Sequence, residues 1–467
     1  MSTQHEKEQL QRGLGDRHIQ MIALGGAIGV GLFYGSASTI KLTGPSVVLS
    51  YLIGGFIIFA IMRALGEMAV AEPVSGSFSS YANRYLGRFA GFFTGWTYWF
   101  LWVVVGMAEI SAFGIFVQYW FPGVPQWVSA FVALAVMTAV NLINVKFYGE
   151  FEFWFALVKV VAIIGMLLAG AGIILFGLGN GGHAVGFSNL WSHNGFVPNG
   201  LSGFIMSFVM VMFSFGGVEL IGITAGEAKN PGVTIPKAIN SVIWRILIFY
   251  VGALLVMMAL YPWNEIGSQG SPFVLVFDKI GIPAAASIIN FVIITAALSA
   301  FNSGLFSTGR MLYSLSLQGN APKMFGKLSK SGTPATGILF SSAALLVGVV
   351  LNYLVPAKVF EYVSAVATVA ALTAWTIILL SQLKFRKLKN ANKEEIAFKL
   401  PLWPISSYIA LAFMAFIAIV MGFMDATRTA LYVAPVWFLI LYAGYKLGPA
   451  KSKPAEVEAI ELKQASK

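Results

Sequence analysis

The chain has 467 residues, 58% of them hydrophobic and only 10% charged, and its mean hydropathy is +0.79. So little polar surface cannot cover a soluble globule of this size, so the composition predicts an all-α polytopic membrane protein. The net charge of +11 does not argue for nucleic acid, because no soluble segment is present to carry a basic face, and the lack of cysteine excludes disulfides, thiol catalysis and a Cys-based zinc site.

Residues 1–17, with Glu6, Lys7, Glu8, Arg12, Asp16 and Arg17, are too polar for a signal-peptide core and are expected to form a cytoplasmic tail. The apolar segment that follows has no evident cleavage site and should remain as a span. About 20 residues are needed to cross the hydrocarbon layer. On that criterion twelve transmembrane helices are expected, at 18–41, 45–66, 92–120, 125–145, 153–177, 203–227, 239–261, 284–312, 335–355, 359–383, 404–424 and 429–447.

The first span contains Gly25-Gly26-Ala27-Ile28-Gly29-Val30-Gly31, four glycines in seven residues near mid-bilayer. Each interior glycine weakens a helix by about 1 kcal/mol relative to alanine, so the backbone here is easily unwound. Lipid cannot satisfy the freed amide groups, so such a break must face protein or a ligand-holding cavity. The spacings Gly25/Gly29 and Gly31/Gly35 equally allow a close-packing face for a neighbouring helix.

The third span carries Glu109 and the fifth carries Lys159, which lies about 10 Å deep at 1.5 Å per residue. Both are expected to face the bundle interior, because an ionisable group facing lipid costs a few kcal/mol. At that depth an ammonium loses much of its hydration and becomes a candidate for proton exchange. The alternative is a lysine whose stem lines apolar surface while its amine reaches the interface. For Glu109 a structural hydrogen bond and a functional role stand side by side. After the fifth span, Gly177-Leu178-Gly179-Asn180-Gly181-Gly182 fits the dinucleotide fingerprint, but no strand-turn-helix context surrounds it, and a flexible loop is expected.

The sixth span repeats the defect of the first in Phe213-Ser214-Phe215-Gly216-Gly217-Val218-Glu219, with a glycine pair at mid-span and Glu219 beside it. If the chain holds two five-span units of opposite orientation, spans one and six correspond. Paired interruptions at corresponding positions point to the binding site of a secondary transporter. The chemistry follows from the helix ends. Where a half-helix begins after Gly29, free N–H groups suit a carboxylate, and where half-helices end near Ala27 and Ser214, unpaired carbonyls suit an ammonium. An amino acid satisfies both. Gly29 and Gly31 permit close approach, and Phe215 is placed to cover the ligand, unless it is one more core- or lipid-facing phenylalanine.

The basic residues set the orientation. With the N-terminus inside, twenty-five Lys and Arg fall on the cytoplasmic side, including the cluster Lys384, Arg386, Lys387, Lys389, Lys393 and Lys399. The outer side receives only Lys41, Lys279, Lys358 and Arg428. Both termini are therefore expected to be cytoplasmic. The tail from Pro449, rich in Lys, Glu, Ala and Ser, reads as disordered. No ATP-binding P-loop, no metal-ligand cluster and no nucleophile constellation is visible, so neither an ATP-driven pump nor an intramembrane enzyme is expected.

A family resemblance rests on His18-Ile19-Gln20, on residues 23–33, on Gly44-Pro45-Ser46, Arg63-Ala64-Leu65-Gly66-Glu67-Met68 and Phe151-Glu152-Phe153-Trp154-Phe155, and further along on Gly226-Glu227-Ala228-Lys229-Asn230-Pro231, Ile235-Pro236-Lys237-Ala238-Ile239, Ser299-Ala300-Phe301-Asn302-Ser303-Gly304 and Gly309-Arg310-Met311-Leu312. These resemble the bacterial amino acid permeases of the amino acid/polyamine/organocation superfamily, amino acid transporter family, over roughly residues 12–447. The resemblance implies a five-plus-five inverted repeat (18–178 and 203–384) with discontinuous helices one and six, two further helices at 403–447, and cytoplasmic tails at 1–17 and 448–467. It implies alternating access and proton-coupled uptake of an amino acid across the inner membrane. The carboxylate-binding stretch falls on Ile28, Gly29, Val30 and Gly31, and the amine-binding carbonyls fall on Phe213, Ser214 and Gly216. The lysine that replaces sodium in proton-coupled relatives matches Lys159, with the first-span break and the Asn302-Ser303 region as neighbours.

Valine at position 30, where many relatives have threonine, removes a hydroxyl beside the carboxylate. With Glu109 and Glu219 the only other acids near the site, a neutral substrate is expected. The candidates are threonine/serine, proline, alanine/glycine or aromatic amino acids. The alternatives are an amino acid exchanger or a transporter-like sensor without net transport. No cofactor is expected; the expected partners are the amino acid, a proton and lipid, not nucleic acid, with the monomer as the working unit.

Overall fold

The computed structural model describes residues 28–74, 76–143, 145–224, 230–266, 271, 273–274 and 284–448. Gly25, Gly26 and Ala27 of the first glycine run, and Gly226, Glu227, Ala228 and Lys229 of the later motif, lie outside the described residues. Among the described residues the secondary structure is helical, with no strand. The helices are α1 (Val30–Phe33), α2 (Gly35–Thr43), α3 (Val47–Ala71), α4 (Ser77–Leu86), α5 (Arg88–Gln118), α6 (Gln126–Ile143), α7 (Val145–Phe176), α8 (Gly200–Ser214) and α9 (Leu220–Thr224). They continue as α10 (Pro231–Leu260), α11 (Ala285–Leu317), α12 (Ala335–Leu354), α13 (Val359–Ala391), α14 (Ile405–Gly422) and α15 (Asp425–Leu447).

Among the described residues, ten helical segments are long and apolar enough to cross a membrane, with Gly35–Ala71 taken as one. The expectation was twelve, and the difference falls at the two interrupted spans. The described part of the first consists of α1 and α2, and α2 runs through the 3-10 turn Gly44–Ser46 into α3. The sixth is divided into α8 and α9, neither of which has spanning length. Gly44 has φ +62° and is followed by Pro45, so the chain must turn there.

Two helices form the centre. Nearly every side chain from Ile289 to Leu315 of α11 is buried, and α5 is buried over most of its length. Small residues let them approach. A Cβ at Gly304 would lie 2.5 Å from Cε3 of Trp102 on α5, and one at Gly106 would lie 3.1 Å from Phe301 of α11. The outer helices expose large apolar side chains such as Phe56, Trp154, Leu168 and Leu439, a surface suited to lipid and not to water. α10 contains a π-helical stretch, Ile246–Gly252, which turns Tyr250 inward. Such local widening of a helix recurs at functional sites.

The end of the bundle that carries the basic clusters is tied by one buried carboxylate. Glu67 Oε2 accepts a hydrogen bond from Arg386 Nη1 of α13 at 2.6 Å and from the backbone N–H of Leu400 at 2.6 Å. Beside it, Arg63 Nη1 donates to Asn240 Oδ1 at 2.9 Å, and its guanidinium lies 3.7 Å over the ring of Phe398. These contacts fasten the connection between α13 and α14 against α3 and α10. Truncating one member of a buried pair leaves the other charge uncompensated, at a cost of about 3 kcal/mol. Glu67→Ala is therefore expected to lower the melting temperature of the purified protein clearly. Asp425→Ala, which removes an exposed partner of Arg428, is expected to leave it unchanged. Equal melting temperatures for the two variants would contradict this assignment.

Candidate functional site

Gly29 precedes α1 with extended backbone, φ −116° and ψ −159°, so the helix starts at Val30 and the Ile28 carbonyl stands outside any helical ladder. Lys159 Nζ, fully buried on α7, donates to that carbonyl at 3.0 Å. A lysine beside the first-span break was expected, and its partner is thus a backbone oxygen freed by the break itself.

The second interruption lies against the first. α8 ends at Ser214, Gly217 takes φ +98°, and α9 resumes at Leu220. Ser214 Oγ donates to Gly31 O at 2.9 Å. The approach is closer than any side chain allows, since a Cβ on Gly31 would lie 2.7 Å from Ser214 Cα. Two tyrosines hold this junction. Tyr51 Oη donates to Ser214 Oγ at 3.0 Å and Tyr250 Oη donates to Ser214 O at 2.8 Å, with the two rings stacked 5.3 Å apart. The Phe213 carbonyl accepts from Gly216 N at 2.9 Å. Each of these carbonyl oxygens has a second lone pair in addition to the one engaged.

Glu109 reaches the same place from α5. Its Oε1 occupies the space where a Gly29 side chain would be, 2.6 Å from an ideal Cβ, and the Val30 backbone amide faces the carboxyl. Glu109 Oε2 is buried without a hydrogen-bond partner. A protein carboxylate therefore stands at the head of the half-helix, where the sequence places a ligand carboxylate. Gly29, Gly31, Glu109, Phe213, Ser214 and Gly216 line one cavity, joined by Trp102, Val105 and Ala300.

The other expected residues separate into distinct neighbourhoods. Val30 points into the core, and Phe215 does not line the cavity: its buried ring packs 5.6 Å from that of Tyr51 and 5.1 Å from that of Tyr250. The aromatic side chains at the cavity are instead Phe213 and Trp102. Asn302 Oδ1 accepts from Asn141 Nδ2 at 2.8 Å, and Ser303 Oγ lies 3.3 Å from Tyr148 Oη. Both flank a third buried acid, Glu152, which accepts from Ser299 Oγ at 2.5 Å. Lys159 lies within electrostatic range of Glu109 and Glu152 together. Glu219 sits apart from that group, with Trp375 Nε1 donating to its Oε2 at 3.3 Å.

Sequence reasoning missed Glu152, Trp102 and the tyrosine pair as members of the site. Glu152 did carry a signal, because it precedes Lys159 by seven residues and so shares its helix face. Tyr51 and Tyr250 carried none, since apolar helices do not announce which face turns inward.

The sequence has close relatives among known proteins. A family model described as amino acid permease matches residues 18–457. The chain is 58% identical over 443 residues to the uncharacterized amino acid permease YtnA of Bacillus subtilis strain 168, covering 95% of this chain and 96% of that one. It is 52% identical to YbxG of the same organism, described as a probable threonine/serine transporter, over 97% of this chain and 98% of the relative. It is 48% identical to the amino-acid permease AapA, over 95% and 96%.

The two glycines make different demands. At Gly31 an added Cβ meets backbone, which cannot move aside, whereas at Gly29 it meets the end of a flexible glutamate. Gly31→Ala is expected to destabilise the protein by about 1–3 kcal/mol, as overpacking does. Gly29→Ala is expected to cost less stability while abolishing ligand-induced thermal stabilisation. Thermal unfolding with and without amino acids checks both, and a Gly29→Ala protein that kept the full ligand-induced shift would defeat the second.

Proposed function

The chain belongs to the amino acid permease family, and from that footing we propose that it imports a neutral L-amino acid by proton symport with alternating access. The observation that carries this reading is the meeting of two interrupted helices at Gly31 and Ser214, beside a fully buried lysine bound to the Ile28 carbonyl. A break of this kind in a membrane helix leaves backbone donors and acceptors that a zwitterion matches.

In this reading the substrate carboxylate takes the amides of Gly29, Val30 and Gly31, and its ammonium takes the free lone pairs at Phe213 and Ser214. The carboxyl of Glu109 already stands at the Val30 amide, so an arriving carboxylate must displace it. Two carboxylates at one site repel each other, and a proton on Glu109 relieves the repulsion. Substrate entry and proton uptake are then coupled by competition for one place. Lys159 responds next, because a change of charge on Glu109 alters its balance between Glu109 and Glu152 and its hold on Ile28. Release of that hold frees the first interrupted helix to move.

The same reading places the protein in the cytoplasmic membrane with both termini inside, supported by the asymmetry of Lys and Arg along the chain. The relative described as a threonine/serine transporter puts that pair first among the neutral candidates.

Reconstituted protein should catalyse counterflow of a labelled neutral amino acid against internal unlabelled substrate. An inwardly directed proton gradient should drive its accumulation. Lys159→Ala is expected to lose gradient-driven accumulation at least about tenfold, as removal of a proton-transfer group does. Accumulation by Lys159→Ala equal to that of the parent would remove the lysine from the coupling, and absence of counterflow for every amino acid would refute carrier function.

A further inference from the structure

One buried polar group at the edge of the cavity has no part in binding the zwitterion or in the lysine-centred charge group. It consists of Tyr98 and Trp102, one turn apart on α5, and Glu219 just before α9. All three are enclosed, at 0%, 3% and 0% exposure. The Tyr98 ring packs 6.3 Å from that of Trp102, and its hydroxyl lies within electrostatic range of Glu219. The benzo edge of the Trp102 indole packs on Gly304 of α11, which turns the pyrrole edge away from that helix. Trp102 Nε1, Tyr98 Oη and Glu219 Oε1 are all without a well-formed hydrogen bond, although the indole and the Tyr98 hydroxyl face each other and the Glu219 carboxyl is held through Oε2 by Trp375 and approached by the backbone amides of Gly217 and Glu219. Trp102 and Gly216 bring the group to the cavity wall.

Three orphaned polar atoms in one buried place are costly unless something fills their bonds. The atoms specify what that is. An indole N–H only donates, and the second oxygen of Glu219 accepts. A hydroxyl is complementary to both at once, since it accepts from the indole and donates to the carboxyl. A carboxylate side chain would face Glu219 as a like charge. An ammonium has no acceptor to offer the indole, and an aliphatic side chain leaves every atom unpaired.

Resting on the amino acid transport reading above, we propose that Trp102, Tyr98 and Glu219 form the side-chain subsite of the carrier and that it selects amino acids bearing a hydroxyl group. The zwitterion is held at the Gly31–Ser214 crossing, and the side chain projects past Gly216 toward Trp102. Trp102 Nε1 donates to the substrate hydroxyl, which donates in turn to Glu219, and Tyr98 closes the subsite.

The test compares isosteres. Full-length protein in proteoliposomes is loaded with an unlabelled neutral amino acid, and counterflow of labelled threonine, alanine and proline is measured. Threonine and valine, which differ by a hydroxyl for a methyl, then compete for whichever label exchanges. The parent protein is expected to favour threonine over valine by about 10- to 100-fold, because valine leaves buried groups unpaired. Trp102→Phe keeps an aromatic ring but removes the N–H, and is expected to bring that ratio to within about threefold; Glu219→Gln keeps an acceptor and should retain more of it. Expressing each result as a ratio within one variant cancels any general loss of activity. If Trp102→Phe does not fold, the ratio in the parent protein decides. Active exchange with threonine and valine within about twofold of each other overturns the subsite and leaves carrier function standing, as does a ratio unchanged by Trp102→Phe. Absence of exchange with any amino acid overturns both.

Discussion

The contact on which the site depends is the crossing of Gly31 and Ser214. Two helices that stop short inside an apolar bundle must have their freed backbone groups satisfied, and here each supplies part of the other's requirement. Ser214 Oγ bonds to the Gly31 carbonyl, while Tyr51 and Tyr250 hold Ser214 from behind. The distance is possible only because residue 31 has no side chain. The tyrosine pair also accounts for the position of Phe215, whose ring completes their stack and so cannot sit over the cavity. The π-helical stretch around Tyr250 belongs to the same arrangement, since it carries that hydroxyl to the break.

Around this crossing the buried charges divide into two sets by the helices that carry them. Lys159 and Glu152 share one face of α7, and Glu109 meets them from α5 at the first interruption. Glu219 is bound instead to Trp375 on α13, next to Tyr98 and Trp102. An acid near a lysine and an acid near an indole and a phenol do different chemistry: the first exchanges charge and the second arranges hydrogen bonds. On the proposed reading, this separation ties charge exchange to the backbone of the first interruption and leaves recognition of a side chain to the group beyond the second.

Much of this was legible before any coordinates. The membrane class followed from composition, and the two interruptions followed from glycine placement, because both properties act locally along the chain. Lys159 was legible because a lysine two turns inside an apolar span is expensive wherever it points. Facing was not legible. In a helix that is apolar all round, no period of hydrophobicity distinguishes the side turned to lipid from the side turned to a neighbour, so Phe213 and Phe215 read alike although only Phe213 lines the cavity. Nor did sequence reveal that the eighth-span Asn302 and Ser303 gather around Glu152, since that depends on which turn of α11 meets α7.

On the proposed proton symport, the position of Glu109 bears on how the carrier would avoid leaking protons. The Glu109 carboxyl supplies the Val30 amide at the start of the half-helix with an acceptor. That same carboxyl is in turn close to Lys159, whose amine donates to the Ile28 carbonyl. A proton moved alone would weaken the acceptor at the half-helix and leave Lys159 with Glu152 as its remaining carboxylate neighbour, which a low-dielectric interior makes costly. A substrate carboxylate arriving with the proton replaces what Glu109 gives up. Coupling of this kind would need no separate gate for the proton, because the backbone break proposed to bind the substrate is what the protein's own acid must vacate.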